Sequence, residues 1–336
     1  MFDVIWPWLK LGLCTVLIGA AGPVLVRNGE RIAELTGLSS SWAGLILLAT
    51  ATSLPELFTG ISAVTLADSP DIAVADVLGS CIFNLLMLVM LDELSRSDPL
   101  FRKIDQGHIL TAGFGVILIG TVGAIILINH MGLNVQFLHI SLYTPFLIFL
   151  YIVAMRAAFD YQRRTVVVRP PSSPSADREL RKAIIRYAAA AWVVVGAGIW
   201  LPFVGLEIAG TMGWQTTFVG TLLIAGATSV PELVVTFSAL RMRAVDMAIG
   251  GLLGSNLFDV LILGIDDILY RKGPLLLSVS PAHAITAFAA VIMSGIFVVA
   301  VLFRPDSRVR GTISWMSMSL LAVYLFSSYV SFLIGQ

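Results

Sequence analysis

Two stretches of the chain carry the same unusual chemistry. Ala51-Thr52-Ser53-Leu54-Pro55-Glu56-Leu57 is followed by Gly79-Ser80-Cys81-Ile82-Phe83-Asn84, and Ala227-Thr228-Ser229-Val230-Pro231-Glu232-Leu233 by Gly254-Ser255-Asn256-Leu257-Phe258-Asp259. Each copy sets a proline and an acid inside an apolar run. Proline removes the amide that would bond the carbonyl four residues earlier, so Pro55 frees the carbonyl of Ala51 and Pro231 that of Ala227. Thr52, Ser53 and Glu56 stand at i, i+1 and i+4, which brings the hydroxyls within reach of the carboxylate's face, and Thr228, Ser229 and Glu232 repeat this. Ser80 and Asn84 lie four apart, as do Ser255 and Asp259, so each partner segment offers a hydroxyl and a carboxamide or carboxylate on one helical stripe. All of these donors are oxygens, which hard cations such as calcium, sodium and magnesium prefer, whereas zinc and copper prefer sulfur or imidazole.

The elements that must position these groups cross a membrane. With 57% hydrophobic and 12% charged residues and a mean hydropathy of +0.91, the 336-residue chain reads as an all-α polytopic integral membrane protein. Apolar runs of spanning length are expected at 4–26, 41–66, 72–91, 108–128, 137–158, 184–206, 214–240, 245–269, 282–303 and 312–334, ten helices in all. Of 21 Lys and Arg residues, 18 fall in or beside the segments joining spans 1–2, 3–4, 5–6, 7–8 and 9–10, leaving Lys10, Arg271 and Lys272 for the other side. The positive-inside rule then puts both termini outside and the Pro- and Arg-containing linker 159–183 in the cytoplasm. That linker divides 1–158 from 184–336, two sets of five helices. An odd number per set makes the second enter the membrane upside down, so the two sets are expected to be inverted repeats.

Inversion lets both copies meet at mid-membrane around Glu56, Glu232, Asp259 and the neutral Asn84. Three ionised acids there are costly unless cations neutralise them. Three monovalent ions, or one divalent ion with a proton or another monovalent, balance the charge, and this favours exchange over one-way transport. Asp76, one turn before Ser80, is a further candidate; the second copy has Gly251 there, and a helix end facing water is the alternative. Asp92-Glu93 and Asp266-Asp267 close corresponding spans and read as solvated helix ends, the lining of an ion vestibule being the alternative. His108, His130, His139 and His283 fall near helix ends and read as interfacial.

Together, residues 49–84 and 225–259 resemble the alpha repeats of the cation/calcium antiporter superfamily, most closely its sodium/calcium exchanger branch. The resemblance implies that Glu56 and Glu232 coordinate calcium, helped by Thr52 and Thr228. It also implies that Ser53, Ser80, Ser229, Ser255, Asn84, Asp259 and the carbonyls of Ala49 and Ala225 serve flanking sodium sites. It further implies alternating access, in which the first and sixth helices slide across the other eight. Ala51 and Ala227 stand where the family commonly has glycine, and Cys81 and Asp76 where it has asparagine.

The expected function is sodium/calcium antiport without a cofactor, the transported ions calcium and sodium being the partners, in a microbial plasma (inner) membrane. A proton- or potassium-coupled divalent cation antiporter is the alternative. An intramembrane enzyme would need a nucleophile with its base, or a metal held by histidine, and no such set appears at mid-span. A cation channel usually gathers identical subunits rather than carrying its own internal inversion. Zero net charge and the lack of a basic cluster with aromatics argue against nucleic acid, and no protein partner is implied.

Overall fold

A helix in hydrocarbon satisfies its own backbone, and the long apolar runs of this chain fold accordingly. The computed structural model describes residues 2–36, 50–95, 100–133, 135–162, 174–304, 308–309 and 313–334. Its longer helices are α1 (Phe2–Thr36), α2 (Leu54–Thr65), α3 (Pro70–Leu94), α4 (His108–His130), α5 (Tyr143–Gln162), α6 (Pro174–Met212), α7 (Thr216–Thr228), α8 (Val230–Arg241), α9 (Val245–Leu269), α10 (His283–Phe303) and α11 (Trp315–Ile334). Among the described residues seven helices are long and apolar enough to span, and the bent pair α7–α8 makes an eighth. The expected spans 41–66 and 137–158 appear as α2 and α5. Residues 41–49 of the first lie outside the described residues, and α5 counts among the shorter apolar helices.

The buried core is built on α3 and α9, the most enclosed of the spanning helices. These two pack against each other, with α4, α5, α10 and α11 around them. Contacts between α3 and α9 pair Asn84 with Asn256 and Cys81 with Asp259, so residue numbers rise along one helix as they fall along the other. The two helices therefore run antiparallel through the core.

Across their outer flank lie α1 and α6, 35 and 39 residues long. They pack along each other and are tied near both ends, by Lys10 Nζ to Glu207 at 2.6 Å and by Arg31 to Glu179. Pro202 cannot donate to the carbonyl of Gly198, and Thr59 Oγ1 of α2 bonds that oxygen at 3.3 Å. Ser62 Oγ bonds the next carbonyl, Ile199, at 2.6 Å. Through these two hydroxyls α6 grips α2.

Several polar contacts recur about 175 residues apart. Asp71 at the start of α3 accepts from Ser280 N at 2.8 Å and pairs with His283 Nε2 at 2.9 Å. Asp246 at the start of α9 accepts from Asp105 N at 2.8 Å and pairs with His108 Nε2 at 3.4 Å. Asp92 near the end of α3 accepts from Ser314 N and Ser317 Oγ, both at 2.7 Å. Asp267 near the end of α9 accepts from Ser141 N at 3.0 Å and Thr144 Oγ1 at 2.5 Å, and from Leu275 N at 2.6 Å. Ser141 and Ser314 each end a two-residue antiparallel hairpin, Gln136–Phe137 with Ile140–Ser141 and Arg308–Val309 with Ile313–Ser314.

These contacts correct two expectations. Asp92, Asp266 and Asp267 are buried rather than solvated, and so are His108 and His283. The reason is local: a helix or hairpin arriving at the bundle brings unpaired amides, and a buried acid satisfies them where water cannot. Replacing Asp267 by alanine strands the amides of Ser141 and Leu275, each costing about 1–3 kcal/mol. A marked drop in thermal midpoint in detergent is expected, and a wild-type melting curve would show that these bonds carry no weight.

Candidate cation site

Both proline motifs break their helix as the missing amide requires. Ser53 and Ser229 leave helical geometry at φ −90°, ψ 19° and φ −78°, ψ 5°, and the chain resumes as α2 and α8. The new helices are closed by Leu57 N to Ser53 O and Leu233 N to Ser229 O, both at 3.1 Å. Before the second break the chain runs through a π-helical turn, Gly220–Ile224, and α7 and α8 then meet at 45°. Both 12-residue half-helices therefore begin inside the bundle, with Glu56 and Glu232 in their first turns. The positive end of each helix dipole there offsets part of the cost of a buried carboxylate.

Hydroxyls join the two copies crosswise. Thr52 Oγ1 of the first lies 3.2 Å from Ser255 Oγ on α9, and Ser229 Oγ of the second donates to Ser80 Oγ on α3 at 3.1 Å. Ser80 also reaches Glu56 Oε1 at 3.3 Å and Thr228 Oγ1 at 3.4 Å. Thr228 in turn bonds Asp76 Oδ1 at 2.8 Å. Asp76 is therefore fully buried beside the motif, and the helix-end alternative does not hold. Asp259 Oδ2 lies 3.7 Å from Cys81 Sγ.

One position was not singled out from the sequence. Asn256 accepts from Asn84 Nδ2 at 2.9 Å and donates to the Cys81 carbonyl at 3.2 Å, fastening α3 to α9 beside the acids. It is the residue after Ser255 in the second copy, where the first copy has Cys81. The signal was therefore present as a mismatch within the repeated motif.

Charge and orphaned oxygen define what this region can do. Glu56, Glu232, Asp259 and Asp76 lie close enough for their charges to act on one another. Glu56 Oε2, Glu232 Oε2, Asp259 Oδ1, Asp76 Oδ2, Asn84 Oδ1 and Ser53 Oγ are buried without hydrogen-bond partners. These six oxygens, on the two proline motifs and on α3 and α9, are of the type that a hard cation takes. Among the described residues no three Asp, Glu, His or Cys side chains converge on one point. The acids surround the region and would have to close upon an ion. The Ala225 carbonyl already accepts from Ser229 N at 3.0 Å and Thr228 Oγ1 at 3.2 Å, and Ala49 lies outside the described residues.

Known proteins resemble this chain in sequence and in fold. Residues 6–158 and 183–335 match the family described as sodium/calcium exchanger protein. The chain is 26% identical over 295 residues to the sodium/calcium exchanger MaX1 of Methanosarcina acetivorans, covering 78% of this chain and 82% of that one. It is 28% identical over 263 residues to the inner membrane protein YrbG of Escherichia coli, 76% of each. Among solved structures, an H+/Ca2+ exchanger, CAX, superposes with a TM-score of 0.68 at 14% identity, over 98% of this chain and 86% of that one. The sodium-calcium exchanger NCX_Mj superposes with a TM-score of 0.61 at 22% identity, over 96% and 98%.

Proposed function

This chain belongs to the sodium/calcium exchanger protein family, and from that premise we propose that it is a secondary active antiporter exchanging sodium for calcium at the paired proline breaks. The observation that carries the proposal is the group of six buried, partnerless oxygens between the two half-helix starts. Ionised and empty, Glu56, Glu232, Asp259 and Asp76 repel one another in a medium of low dielectric. A bound cation removes that repulsion and draws the orphaned oxygens inward, so only a loaded site closes. Sodium and calcium compete for the same acids, and this competition couples their movements.

In this reading Glu56 and Glu232 bind calcium with Thr52 and Thr228. Ser53, Ser80, Ser229, Ser255, Asn84 and Asp259, with the Ala49 and Ala225 carbonyls, serve sodium, and Asp76 adds a fourth carboxylate. Ten spans form inverted repeats 1–158 and 184–336 around a cytoplasmic linker, 159–183, with both termini outside a microbial plasma membrane. The antiparallel course of α3 and α9 and the contacts recurring about 175 residues apart support that architecture. The ion pairs joining α1 to α6 support movement of these two helices as one unit.

Likeness to both a sodium/calcium and an H+/Ca2+ exchanger makes the driving ion the point to test. In proteoliposomes of the purified chain, an outward sodium gradient is expected to drive calcium uptake, and a potassium gradient is expected to leave it at background. Equal uptake under sodium and potassium gradients would overturn sodium coupling. No calcium movement under any gradient would overturn antiport itself.

A further inference from the structure

The carboxylates of the core are unevenly distributed along the bundle. Matching Ser80 with Ser255 pairs Asp76 with Gly251 and Leu91 with Asp266. Because α3 and α9 run antiparallel, Asp76 and Asp266 fall at one level, and their charges act on each other. Gly251 and Leu91 take the corresponding places towards the opposite end. One half of the molecule thus carries two extra acids where the other carries a hydrogen and an isobutyl group.

Asp266 is the less explained of the two. It is fully buried, and neither carboxylate oxygen has a hydrogen-bond partner. Its neighbour Asp267 takes all three donors offered at this end of α9, Ser141, Thr144 and Leu275. Asp266 faces the other way and lies against Gly60 of α2, where a Cβ would collide with its carboxylate. Gly60 is one turn beyond Glu56, and Asp266 two turns beyond Asp259, so this acid stands between the cation site and the helix end at Leu269. Its charge acts on that of Asp76 of α3, and Asp71 at the same end of α3 is paired with His283; α2 carries Glu56, its own helix Asp259 and Asp267, and Lys272 just beyond is paired with Asp68.

A buried carboxylate with no donor and no basic partner needs a counter-charge. Sodium or calcium requires several oxygens at once, and among the described residues no two further Asp, Glu, His or Cys side chains gather with Asp266 to hold one. A proton requires only one. We propose that Asp266 is a proton-exchange site in the half of the molecule that contains Asp76, separate from the central cation site, and that it links calcium exchange to the pH on that side. This rests on the antiporter reading, with the proton as the additional ion.

Two measurements on the full chain test it. In proteoliposomes, calcium uptake is driven by a pH gradient alone or a sodium gradient alone in wild type, Asp266→Asn and Asp266→Leu, the leucine matching Leu91. Both variants are expected to lose about tenfold of the pH-driven uptake and to keep the sodium-driven uptake at alkaline pH. In detergent, infrared difference spectra between acid and alkaline buffer are expected to show a carboxylic-acid band that Asp266→Asn removes. PH-driven uptake that persists in both variants, its absence from wild type, parallel loss of both fluxes, or an unchanged infrared band would overturn the proposal. If wild type moves no calcium under any gradient, antiport fails, and the infrared band alone then decides whether Asp266 exchanges a proton.

Discussion

Glutamine in place of Glu56 or of Glu232 is expected to lower calcium exchange by about a hundredfold, and the double variant to be little worse than either single one. The two carboxylates open α2 and α8, and each has an oxygen with no partner inside the bundle. Glutamine keeps the shape and one acceptor but removes the charge that holds a cation. Truncating one side of a buried charge pair costs about 2–5 kcal/mol, and each 1.4 kcal/mol is a factor of ten. Flux under a sodium gradient, measured on protein that elutes as a single species, is the readout. Near wild-type exchange in either variant would remove that glutamate from the transport site.

Alanine at Gly79 is expected to lower both stability and exchange. An added Cβ at Gly79 would lie 2.5 Å from the Thr221 carbonyl and 2.6 Å from Cβ of Ala225. The first collision presses α3 against the π-helical turn of α7, which is backbone and cannot swing aside. Overpacking of this kind costs about 1–3 kcal/mol. Ser80, the next residue, would shift away from Ser229 and Glu56, so exchange falls with stability. Thermal midpoints in detergent and calcium flux of Gly79→Ala are to be compared with wild type. A wild-type midpoint and flux would mean that this close packing has no energetic weight.

Much of the site was legible in the sequence because its chemistry is costly. Proline and glutamate inside apolar spans must be compensated, and their recurrence at matched spacing pointed to one shared region. The pairing of Ser80 with Asn84 and of Ser255 with Asp259 followed from the helical period alone. Asp92, Asp267, His108 and His283 were misread because position near a helix end does not reveal what arrives there. In each case at least one partner comes from a segment more than 120 residues away in the chain.

The sequence by itself determined the membrane class, the doubled break, the oxygen donors gathered in the two motifs and the relatives the chain resembles, since these follow from hydropathy, proline geometry and residue type. Only the tertiary structure decided how equivalent positions differ. Asp76 is buried against Thr228, Asn256 fastens α3 to α9, Gly79 is crowded by the π-helical turn, and Asp266 stands partnerless over Gly60. The physical reason is that a side chain's environment depends on which helix packs across it. Two repeats with the same motif present different neighbours once their helices interleave.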